Sequence, residues 1–195
     1  MNTSKNNYKK ALIILLFFSN IFSLVAQEAK VVSAESKLTV DGTSNLHDWT
    51  IDAKKMYGKA NLVIDANTLK EIKSLDFSVD VDQLKSTHDG MDANTIKALN
   101  GKVHKSIVFK LTKVIKITKV SDGNFSVETQ GNLTVAGATK LINQSFTIKV
   151  AGEKVVFSGK QKIDMTVYGV KPPKALLGTI RTGKDVVVNF KVTYN

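Results

Sequence analysis

The chain has 195 residues, no cysteine, and 28 basic against 17 acidic side chains, a formal charge of +11. That length suits one domain with a real core, and the core must stabilise it without disulfides. The basic balance favours anionic partners such as a phosphate head group or an acidic membrane surface. Nucleic acid is excluded on composition, because Arg181 is the only arginine and no aromatics interleave with lysines on an exposed face as a stacking platform requires.

Lys9 and Lys10 precede an uncharged apolar run from Ala11 to Ala26. A basic start, a short apolar run and a small residue at its end describe a secretory signal peptide over 1–26, with a mature domain over 27–195 and a periplasmic or secreted destination. Removing its three lysines leaves the mature part at +8.

The mature chain alternates apolar and polar residues at period two, the signature of strands with one face in oil and one in water. Leu38 to Asp41 reads as a first strand that stops at Asp41-Gly42. Trp49, Ile51 and Ala53 share one face of a second, and Gly58, Ala60, Leu62 and Ile64 one face of a third, broken by Asp65-Ala66-Asn67. The fourth runs from Lys73 to Leu84. The period then changes: Met91, Thr95, Ala98 and Leu99 fall at helical spacing, with Asp89 at the start and Asn100-Gly101 at the end. Strands resume with Ile107, Phe109, Leu111, Ile115 and Ile117 on one parity. Ser121-Asp122-Gly123-Asn124 is a hairpin turn. Phe125, Val127, Leu133 and Val135 share the next face, and Ile142, Phe146, Ile148 and Val150 the one after. Val155, Phe157, Ile163, Met165 and Val167 follow, and Val186, Val188, Phe190, Val192 and Tyr194 close the series. Eight strands are too many for one open layer, so a barrel or a sandwich is expected. Between the last two lies Lys171-Pro172-Pro173-Lys174-Ala175-Leu176-Leu177-Gly178. A double proline has no place inside a sheet, so this segment is a loop, either a flap over an opening or packing under a crossover.

Catalytic signatures are lacking. No nucleophile elbow, zinc-protease motif or glycine-rich phosphate loop is present. His47-Asp48 and His88-Asp89 are adjacent in sequence, but neighbours in a strand point to opposite faces. His88, Asp89 and Asp92 would suit a metal, yet acids at a helix start equally serve the cap and the dipole, and no metal is expected. Asn124, Asn132 and Asn143 head sequons that matter only in a glycosylating host.

An ordered set of segments carries a resemblance. Ser44-Asn45-Leu46-His47-Asp48-Trp49 follows the first strand. Leu84 to Asp92 reads LKSTHDGMD, then come the helix, Ser106-Ile107-Val108-Phe109, and Gly131 to Lys140, GNLTVAGATK. Together these resemble the YceI-like family of exported bacterial proteins. The resemblance implies an eight-stranded antiparallel lipocalin-like β-barrel with a short helix near one end, binding polyisoprenoid or another long amphiphilic lipid in its interior. Within that frame the inward aromatics Trp49, Phe77, Phe109, Phe125, Phe146, Phe157 and Phe190, with Leu176 and Leu177 of the flap, are the candidate ligand contacts. Lys171, Lys174, Arg181 and Lys184 are candidates for a charged head group. The expected function is a non-enzymatic lipid carrier without cofactor, in transient contact with an anionic membrane surface. An open seam in the barrel would also offer an edge to a second copy, giving a homodimer. The competing readings are a structural β protein with a filled core and a periplasmic enzyme using His47 or His88 on a hydrophobic substrate. Cavity volume separates the carrier from the structural reading.

Overall fold

The computed structural model describes residues 26–195. The leader expected over 1–26 lies outside the described residues except for Ala26. The elements, in chain order, are β1 (Gln27–Lys30), β2 (Lys37–Ser44), β3 (Trp49–Ala53), β4 (Met56–Asp65), β5 (Thr68–Asp80), β6 (Leu84–Lys85), α1 (Asp89–Ala98), β7 (Ser106–Ser121), β8 (Asn124–Val135), β9 (Ala138–Ala151), β10 (Lys154–Asp164), β11 (Lys174–Ala175) and β12 (Ile180–Tyr194). Every strand pairing is antiparallel, in the order β1-β4-β5-β7-β8-β9-β10-β12-β2-β3-β6, with β11 on β12.

That order is a closed ring. Only Lys54 and Lys55 separate β3 from β4, and only the 3-10 turn Val81–Gln83 separates β5 from β6. Ala53 pairs with Leu84, the Lys54 N–H donates to the Gln83 carbonyl at 2.9 Å, and Met56 pairs with Val79. β3–β4 and β5–β6 are therefore two long strands bent at the same level. With them ten of the twelve segments form an eight-stranded barrel, supplemented by the short β1 and β11. Where β4 bends away from its neighbour, β1 fills the wedge. It pairs with β4, and Lys30 exchanges two backbone hydrogen bonds with Asn195, at 2.8 and 2.9 Å. The sequence holds β1 but its charged, four-residue pattern gives no periodic signal.

Hairpin turns set the register. Ala66-Asn67 and Ala136-Gly137 both take positive φ at the two central positions, the geometry that matches the strands' own twist. In α1, Met91, Thr95, Ala98 and Leu99 turn toward the barrel and cover one end of it.

The expected strands differ from those observed, the fourth running from Thr68 to Asp80 rather than from Lys73 to Leu84, and three further differences have a local reason. β2 continues through Gly42 to Ser44, because this glycine faces inward under an aromatic ring. In β7, register shifts between Leu111 and Lys113 and between Val114 and Lys116 turn Ile115 out to solvent, and Val114 takes the inner position instead. A bulge adds a residue to one strand and so reverses its parity. β10 ends at Asp164, whose carboxylate accepts the Thr166 N–H at 2.9 Å and caps a 3-10 turn over Met165–Tyr168. Val167, expected on the inner face, is exposed there.

Candidate functional site: a hollow barrel interior

The barrel is hollow. A cavity of about 550 Å³ runs inward from the end carrying α1, within the usual range for small-molecule sites of roughly 300–1,000 Å³. Its floor is a set of tilted aromatic contacts, Phe146 to Phe157 at 5.4 Å and Phe157 to Tyr194 at 4.8 Å between ring centres. Burial pushes the Tyr194 hydroxyl well above its ordinary pKa, so it stays a neutral group.

Six of the seven expected aromatics, Trp49, Phe77, Phe109, Phe146, Phe157 and Phe190, line this space. Phe125 does not. It is only 2% exposed and packs in the closed end of the core, opposite Ile148 across the β8–β9 ladder. Parity alone does not separate the two positions, because the whole inner face of a strand alternates identically from floor to rim.

The lumen stays open because several rings lie over glycines. A methyl placed on Gly42 would meet the Trp49 ring at 2.1 Å, one on Gly131 the Phe109 ring at 2.3 Å, and one on Gly159 the Phe190 ring at 2.8 Å. Gly42 with Trp49 and Gly159 with Phe190 are direct cross-strand partners. A glycine offers no side chain, so the facing ring settles onto the backbone and hugs the wall rather than filling the bore. Inner-parity glycines opposite aromatics are the sequence signal for this arrangement, and it is readable only once the strand partners are known.

Polar lining residues gather at the mouth: Ser44, His47, His88, Asn94, Thr95 and Lys174. The loop after β2 is stitched to the flap. The Asn45 side chain donates to the Thr179 carbonyl at 3.0 Å and accepts the Arg181 N–H at 2.7 Å. α1 is anchored beside them by Asp92, which accepts both the N–H and the hydroxyl of Ser86 at 2.7 Å, with Lys85 at 3.7 Å. The Ser86 backbone N–H is the main reason the Asp92 carboxyl sits below the ordinary carboxylate range. His47 donates from Nδ1 to the Asp48 carbonyl at 2.7 Å, and no hydrogen bond joins it to His88 among the described residues.

The expected head-group cluster is divided. Lys174 lines the cavity and pairs in register with Arg181. The Arg181 guanidinium donates from Nε to the Gly178 carbonyl at 3.2 Å. Lys184 is turned to Asp164 at 2.7 Å, and that hydrogen bond, with Thr166, holds the Asp164 pKa down to about 2. Lys171 is exposed outside the lining. Leu177 is fully exposed, at a positive φ of 55°, and the side chain of Leu176 lies outside the described residues. Sequence reading missed two inward glutamines, Gln144 and Gln161, although Gln144 shares the even parity of Ile142 and Phe146.

No curated protein matches the chain. Solved structures do. BcnA of Burkholderia cenocepacia superposes with a TM-score of 0.67 at 16% identity, over 84% of this chain and 98% of that one. A polyisoprenoid binding domain from Saccharophagus degradans, implicated in plant cell wall breakdown, gives 0.69 at 11% identity over 87% and 98%. The YCEI protein of Campylobacter jejuni gives 0.52 at 19% over 70% and 79%. At these identities the likeness is one of fold. The sequence adds a match to the YceI-like domain across residues 30–194, all but the ends of the barrel just described, and the chain belongs to the YceI-like family.

Proposed function

We propose that the protein is an exported, non-catalytic carrier that takes one long apolar chain into its barrel and keeps the polar end of that ligand at the mouth. The single observation behind this reading is the open, overwhelmingly apolar lumen. Membership of the YceI-like family, and a fold shared with a polyisoprenoid binding domain, support the same class of ligand.

The size of the lumen sets the size of the guest. Close-packed at interior density a methylene occupies about 27 Å³, so 550 Å³ holds a chain of about twenty carbons. Burying them is worth about 16 kcal/mol gross at about 0.8 kcal/mol each, before the cost of ordering the chain. A prenyl tail of about forty carbons would leave about half its length outside by the same volume.

Leu46 and Leu177 are exposed on the two loops that Asn45 ties together, beside Lys174 and Arg181. Apolar side chains among cations suit the head-group layer of an anionic membrane, and the reading places loading and release there. Titration with saturated fatty acids of increasing length tests the proposal. Affinity rises with each methylene to about twenty carbons and then levels off by the same packing volume. Affinity independent of length, or no binding at all, refutes it.

A further inference from the structure

Within the greasy lumen two amides stand apart. Gln144 is 7% exposed yet lines the cavity, and Gln161 lines it from the neighbouring strand. The β9–β10 ladder has its last rung at Gly159 with Phe146. Gln161 and Gln144 occupy the next same-face positions beyond it, where the strands part and the wall is no longer zipped.

Their orientation is fixed by the backbone. Gln144 Nε2 donates to the Ser145 carbonyl at 2.8 Å, and Gln161 Nε2 donates to the Lys162 carbonyl at 3.0 Å. A carbonyl accepts and cannot donate, so in each side chain the NH2 group must be the end turned to the wall. No hydrogen bond reaches either Oε1 among the described residues. Neither oxygen is sealed in the wall, since Asn61 Oδ1 is the only buried side-chain polar atom without a partner among the described residues. An apolar guest that covers the lumen face would strand both acceptors, which is expensive. Thr129 does not relieve this, since its hydroxyl donates to the Gln144 backbone carbonyl at 2.8 Å.

We propose that Gln144 and Gln161 form an acceptor pair that selects a chain bearing a hydrogen-bond donor, a hydroxyl or an amide N–H, part-way along its length. The inference rests on the carrier reading above and adds the chemistry of the chain. From the rim at Ala138 to Gln144 is six residues of strand, about 20 Å of contour and about 15 Å of depth at the usual barrel tilt. That depth matches about twelve extended carbons from a head group at the mouth.

Octadecanoic acid and 12-hydroxyoctadecanoic acid, titrated into the wild-type protein, Gln144→Met, Gln161→Met and the double variant, test this. Methionine keeps length and volume and removes the acceptor. In the wild type the hydroxylated acid binds about tenfold tighter than the plain one, from one well-placed buried hydrogen bond. Gln161→Met, at the less buried position, reduces that preference in part, and the double variant abolishes or reverses it while binding the plain acid at least as tightly. Equal affinities in the wild type, or a preference that survives the double variant, overturn the selection and leave the carrier reading standing. Failure of both acids to bind overturns the two together.

Discussion

Gly42→Ala probes whether the bore is set by rings resting on glycines. The added methyl would lie 2.1 Å from the Trp49 ring, and the three closest atoms are all in that ring. An ordinary carbon contact is about 3.6 Å, so the indole must retreat toward the lumen by about 1.5 Å. An indole buries about 200 Å² in all, about a quarter of it on one face. Sweeping that face through 1.5 Å removes about 75 Å³, the space of nearly three methylenes at interior density. Their transfer is worth about 2 kcal/mol, so affinity for an eicosanoate chain, which fills the wild-type lumen, falls about thirtyfold, with the preferred chain shortened by two or three carbons. Trp49 is the only tryptophan, and its indole Nε1 donates to the Thr43 carbonyl at 3.1 Å. Its emission therefore reports both the displacement and the arrival of ligand in one titration. A folded variant with unaltered emission and wild-type affinity would refute the argument, because the ring would not then be what bounds the space.

Phe125→Ala destabilises the fold by about 3–5 kcal/mol but leaves chain affinity within twofold, whereas Phe109→Ala lengthens the preferred chain; denaturant melts alongside ligand titration separate the two. Asp92 has its pKa lowered by folding, so its anchoring of α1 is complete above the unfolded value of about 4 and is lost as pH falls through the lower folded value. Hydrogen exchange in α1 should accordingly accelerate below about pH 4 and not between pH 5 and 8, with Asp92→Ala bringing that loosening to neutral pH. Reversing charge at Lys174 and Arg181 together with Leu177→Ser should abolish co-sedimentation with vesicles rich in anionic lipid, and unaltered sedimentation counts against loading at a membrane.

Alternation made the barrel legible because a one-residue slip would turn every side chain to the wrong face. Where an extra residue intervenes, the pattern misleads. Ile115 reads as inward and is not, since the bulges in β7 cannot be seen without the straight partner β8. Met165 and Val167 continue an alternation that Asp164 interrupts by capping a turn. The aromatic lining followed from parity, but its limit at Phe125 did not, because depth along a barrel is a property of neighbouring strands. The glutamine acceptors were hidden for a related reason. A polar residue at an inner position looks like a phase error until the end of the β9–β10 ladder shows where it sits.

The pairing of β2 with β12 has a consequence for how the protein is handled. A ring sealed by strands far apart in the sequence is a high-contact-order structure, and its final closure is slow. The interior does not exist until that late event, so hydrophobic molecules in the host extract have ample opportunity to be sealed in. Protein unfolded in denaturant, stripped of such stowaways and refolded is therefore the proper blank for every titration described above.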